Sequence, residues 1–220
     1  MPPEKPVKKP VTRVAKKPAK QPVKKPDAPI LSFATSLKFA HWLQAQPADS
    51  SGVWLRLGKK TGALKTLSYP EALDVALAWG WIDGQLKSHD EDSWLRKFTP
   101  RRSTSIWSKI NREKALALIA AGKMQPPGLA EVERAKQDGR WQAAYDSAKN
   151  AAIPPDFSAA LKKAPRAASF FETLDGANRY AVLFRVQPLR YKKPETRTRK
   201  IAELVAMLER GEKIHGERRR

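Results

Sequence analysis

The first 29 residues of the chain show no apolar period, residues 30 to about 110 mix alternating and helical patterns, and the rest is helical in pattern. From Ser36, "SLKFAHWLQAQP" spaces Phe39, Ala40 and Leu43 on one helical face behind a capping serine and stops at Pro47. "GVWLRLGKKTGALKTLS" then alternates Val53, Leu55 and Leu57 with Trp54 and Arg56, turns at Lys-Thr-Gly, and resumes at Leu64 and Leu67. That pattern predicts a hairpin, or a strand with an extended return. "SYPEALDVALAWG" combines Ser68-x-x-Glu71 with a first-turn proline and a closing Gly80, which predicts a capped helix. Two strands follow, with Ile82, Gly84 and Leu86 on one face of the first and Trp94, Arg96 and Phe98 on one face of the second. "HDED" at 89–92 is their turn.

Beyond Pro100 the spacing predicts helices within Ser105 to Ala121 and from about Pro127 to Asp138, each ended by a glycine. Further helices are predicted from Pro154 to Lys163, from Pro165 through Thr173, onward through "ANRYAVLFRVQ", and from about Glu195 to Glu209. The last carries Ile201, Leu204, Val205 and Leu208 on one face. The fold class is therefore α+β: a small antiparallel sheet of hairpins packed with a predominantly helical C-terminal half. The pattern divides the chain into a tail at 1–29, one globular domain at 30–210 and a basic extension at 211–220. Within the domain an α+β part covers about 30–110 and a helical part about 111–210.

The tail holds nine Lys/Arg against two acids and eight prolines, too little apolar surface to offset the entropy of ordering it, and reads as disordered. Its surplus of seven positive charges leaves about 14 of the total +21 on the remaining residues, so the globular part is itself basic. Anionic ligands or polyanions are therefore the expected partners. The repeated "KKP" elements of residues 1–29 resemble arms that lie along nucleic acid, or act as a solubilising extension. No cysteine is present, which excludes disulfides and thiolate metal sites. Without an export signal or an apolar run of membrane-spanning length, the chain reads as cytoplasmic.

Chemistry is sparse. His89 with Asp90, Glu91 and Asp92 has the residue types of a metal or acid/base site, but consecutive positions in a turn rarely converge on one ion. Asp83 sits where a helix end passes into a strand, free either to orient a basic partner or to pair with Arg101 or Arg102. Arg101 and Arg102, followed by Ser103 to Ser105 and a helix start, form an anion site or a solvated basic loop. Trp79, Trp81, Trp94 and Trp107 fit core positions better than stacking platforms. No catalytic residue, cofactor or metal is expected.

Taken whole, "YPEALDVALAWGWIDGQLKSHDEDSWLRKFTPRRSTSIWSKIN" at 69–111 resembles the YdeI/OmpD-associated (bacteriocin-protection, OmdA-like) family. The matching elements are "GWIDG", an acidic turn, "FTPR" and S-x-W-S-x-x-N, and the similarity runs on through 122–141 to "KKPETRTRKIAELVAML" at 192–208. The resemblance implies a bacterial stress- or bacteriocin-protection protein and supplies no catalytic residues. The expected site is a basic groove around Asp83, Lys87, Arg101, Arg102, Ser105, Trp107 and Asn111, where the arginines hold an anionic group, Asp83 orients a basic partner and Trp107 forms an apolar wall. The alternatives are a nonspecific nucleic-acid-associated protein using the tail, and an enzyme with a site around Asp83 and Arg101.

Overall fold

We describe residues 28–191 and 193–216 of a computed structural model. Apart from Ala28 and Pro29 the Lys/Pro-rich tail lies outside the described residues, as do the last four residues of the C-terminal extension. The elements run β1 (Ile30–Leu31), α1 (Ser36–Gln44), β2 (Val53–Gly58), α2 (Tyr69–Ala78), β3 (Trp81–Ser88), β4 (Ser93–Pro100), α3 (Lys109–Ala120) and α4 (Pro126–Gln137). Four more helices follow: α5 (Pro155–Lys162), α6 (Pro165–Glu172), α7 (Gly176–Arg185) and α8 (Pro194–Glu209).

The strands form one sheet in the order β1-β2-β4-β3. β2, β4 and β3 are antiparallel, as expected, and two-residue β1 joins in parallel, with Ile30 opposite Trp54. The sheet is therefore mixed. The return after β2 is extended without being a strand; it is fixed by the Leu67 N–H donating to Phe33 O at 3.0 Å and the Gly58 N–H donating to Thr66 Oγ1 at 2.9 Å. Between Asp83 and Leu86 the β3–β4 register shifts by a bulge. The bulge corrects the expected strand face: Ile82 lies opposite Thr99 and Leu86 opposite Arg96, so these two residues point to opposite sides of the sheet.

The side chains of Val53, Leu55, Leu57 and Phe98 are fully buried, and together with Phe39, Leu77 and Trp107 they make the sheet-and-helix core. Burying each such side chain contributes on the order of 1.5–3 kcal/mol. α2 is held at its start by the reciprocal Ser68–Glu71 capping box and at its end by Gly80, whose φ of +75° a side-chain-bearing residue rarely adopts. α4 approaches α2 so closely that a Cβ on Gly128 would sit 2.2 Å from Ala78 O. A second core, built from Phe157, Phe171, Val182, Val186, Leu204 and Leu208, joins α5 to α8. α7 is a separate helix, not a continuation of α6, because Asp175 caps it anew by accepting from the Asn178 N–H at 2.7 Å. Outside both cores, Tyr145 packs edge-on against Phe184 of α7, with ring centroids 5.2 Å apart.

Candidate functional site

β4 hands the chain to the "RRSTSIW" loop, and the loop's first residue is the most unusual polar group in the molecule. The backbone N–H of Arg101 donates to Gly80 O at 2.9 Å, tying the loop to the turn that ends α2. Its side chain is buried, at 6 % exposure, with the guanidinium carbon 3.4 Å from the centroid of the Trp107 ring. Nη1 reaches Ile106 O at 3.5 Å, a long contact, while Nε and Nη2 have no hydrogen-bond partner among the described residues. These two N–H groups share the edge of the guanidinium that grips both oxygens of a carboxylate or phosphate. Burial pushes the guanidinium down to about 9, against the pull of Glu131, Tyr145 and Asp83 and with the push of Arg140.

Arg101 lines a cleft of about 290 Å³ between α1, the end of α2 and α4. Its walls are mostly apolar, from Leu43, Pro47, Trp79, Trp81, Pro100 and Pro127, and its charged groups besides Arg101 are Glu131 and Arg134. Glu131 is ion-paired to Arg134 one helical turn on, yet burial raises its carboxyl above its ordinary value against the pull of Arg134, Arg101 and Arg140. Nε of Arg134 is also buried without a hydrogen-bond partner among the described residues. Under the loop, Arg140 donates from Nη1 to Ser105 O at 2.6 Å and is held by Asp138 at 2.7 Å, so a second buried arginine braces the backbone that carries the first.

The seven residues expected to form one groove are distributed over several places. Arg101 and Trp107 are stacked together, and Ser105 joins them through Arg140. Arg102 is exposed, its backbone N–H donating to Ser105 Oγ at 2.9 Å. Asn111 is buried on the first turn of α3, whose N-cap is Ser108. Lys87 lies on the sheet face remote from the core, 4.3 Å from the centroid of the Trp54 ring. Asp83 finds a different basic partner from those expected: it accepts from Arg96 Nε at 2.9 Å and from the Tyr69 hydroxyl at 2.8 Å. His89 sits exposed at the hairpin tip with Nε2 3.7 Å from Asp90, away from these groups. Among the described residues no three His, Cys, Asp or Glu side chains come together as a metal site, and no helix is long and apolar enough to cross a membrane.

Glu131, Arg134 and Arg140 had no distinguishing signal in the sequence. Charged residues three apart on a helix read as a solvated face. The recoverable hint was Gly128, a glycine inside a helical pattern, which marks the close approach of α4 to α2 that brings Glu131 to the cleft.

Two family models match the chain. Residues 31–131, which include the whole stretch at 69–111 with its motifs, match a domain of unknown function (DUF8412). Residues 150–211, spanning α5 to α8, match the family described as Bacteriocin-protection, YdeI or OmpD-Associated. No curated protein and no solved structure matches the chain. The expected resemblance to that family is thus found in the helical half, where residues 150–211 are similar to the family described as Bacteriocin-protection, YdeI or OmpD-Associated, while the motifs at 69–111 fall in the other match.

Proposed function

We propose that the chain is a non-catalytic binding protein for a small ligand that joins a carboxylate to an apolar body, held in the cleft that Arg101 lines. The observation that carries this reading is the unpartnered Nε–Nη2 edge of Arg101, buried beside a cleft whose walls are mostly apolar. A buried guanidinium without an acceptor is costly, and such groups collect where an anion is to be received. Stacking on Trp107 holds the guanidinium in a fixed plane. The Glu131–Arg134 pair forms the rim: an incoming carboxylate satisfies Arg101, while Glu131 stays with Arg134. A protective role of the kind named by the family description is the biological setting we attach to this binding.

Thermal unfolding with benzoate as the probe tests the reading, because a ligand that binds only the folded state raises the melting temperature with its concentration. Sodium chloride at matched ionic strength controls for the protein's high charge. Wild type should be stabilised by benzoate beyond the chloride control, and Arg101→Met should show only the chloride effect. Equal benzoate responses in the two proteins would overturn the assignment.

A further inference from the structure

On the sheet face turned away from the core, one aromatic ring is surrounded by cations. The β2–β4 register puts Trp54 opposite Lys97 and Arg56 opposite Leu95, and the β3–β4 register puts Lys87 opposite Leu95, so all five share that face. Trp54 and Leu95 belong to neither hydrophobic core. Trp54 is half-buried, with the Lys87 and Lys97 ammonium groups over its ring, 4.3 and 5.7 Å from the centroid. Arg56 is tied to Asp90 at 2.7 Å, which leaves the two lysines as the cations held by the ring. Ile30, half exposed, is the parallel partner of Trp54 at the sheet edge. In the sequence, residues 1–27 ahead of this strand hold nine Lys/Arg.

We infer that this face binds single-stranded nucleic acid, with Trp54 as the stacking platform for one base and Lys87 and Lys97 as the contacts to the flanking phosphates. An open sheet face with a ring on it is suited to an unpaired base, because a base inside a duplex has no free π-face to offer. The lysines are on long, flexible stems, and their attraction to the ring is weak enough to be exchanged for phosphate oxygens. The nine Lys/Arg of residues 1–27 add sequence-independent attraction for a polyanion through their charge alone. This site is separate from the Arg101 cleft and stands or falls independently of it.

The test is fluorescence anisotropy of a labelled 20-nucleotide oligo(dT) with the full chain over a sodium chloride series. Trp54→Ala is expected to weaken binding about tenfold, the scale of one stacked base. Trp54→Phe keeps a ring and should lose much less. The double variant Lys87→Ala/Lys97→Ala is expected to make the logarithmic salt slope shallower by about 1.4, or about 0.7 for each phosphate that is no longer neutralised. A 20-base-pair duplex should be insensitive to Trp54→Ala. If the Ala and Phe variants bind oligo(dT) like wild type, or if Trp54→Ala weakens the duplex equally, the stacking platform is refuted. An unchanged salt slope in the double lysine variant refutes the phosphate contacts.

Discussion

Arg101→Met separates a binding residue from a structural one, because the two roles predict opposite changes in stability. The guanidinium is held down to about 9 by burial, far below its ordinary range. At about 1.4 kcal/mol per pH unit, that displacement puts an upper bound of about 5 kcal/mol on the burden the charged group places on the folded state. Arginine keeps its proton throughout the physiological range, so the burden is constant there and adds no pH dependence near neutrality. Stacking on Trp107, worth about 0.5–2 kcal/mol, offsets part of it. Methionine fills similar volume without a charge, and replacing buried ions by apolar residues is often neutral to stabilising by about 1–4 kcal/mol. The expected net effect is a gain of about 1–3 kcal/mol, read as a higher urea midpoint by tryptophan fluorescence with an unchanged slope. A residue kept for binding at the expense of stability shows that gain together with loss of the benzoate response. A loss of more than about 1 kcal/mol at unchanged slope would refute the reasoning and make Arg101 a packing element.

Two further outcomes follow from the packing around the cleft. The Tyr69 hydroxyl is pushed up to about 12 by burial and then by its hydrogen bond to Asp83, so its stabilisation is present below pH 10 and is lost as pH rises through 12. Asp83→Asn should bring Tyr69 titration to lower pH in absorbance at 295 nm, and should cost about 2–3 kcal/mol at neutral pH by leaving Arg96 without its carboxylate. An unchanged titration curve would contradict the Asp83–Tyr69 bond. Gly128→Ala should lower the melting temperature by calorimetry, because a Cβ 2.2 Å from Ala78 O forces α2 and α4 apart. Overpacking of that kind costs about 1–3 kcal/mol, against a helix-propensity gain of about 1 kcal/mol. A rise in melting temperature would show that the helices do not approach so closely.

Elements with a complete local signal were legible in the sequence. Ser68 and Glu71 announce the start of α2 by chemistry that needs no tertiary partner, and Ile201, Leu204 and Leu208 repeat often enough to define the buried face of α8. β1 was not legible, since two residues carry no period, and its parallel pairing depends on Trp54 far along the chain. The bulge after Asp83 was hidden because Gly84 fits a regular strand equally well; only the register with β4 reveals the extra residue. Asp83 lies opposite Phe98, two residues from Arg96 on the same strand face, and so pairs with Arg96 across the hairpin instead of with the arginines of the next loop. Adjacent Arg101 and Arg102 look equivalent in sequence, yet the first is buried and the second exposed. The difference lies in long-range contacts to Gly80 and Trp107, which local pattern does not encode.

The central claim, an anion received at the Arg101 edge, is tested most directly by the indole N–H resonance of Trp107 in a nitrogen-labelled sample titrated with benzoate. Trp107 is buried against the guanidinium, so its resonance reports on that group rather than on the charged surface. A saturable shift of this resonance is expected in wild type, absent with matched sodium chloride and absent in Arg101→Met. A resonance that stays in place while benzoate moves only surface signals would contradict it.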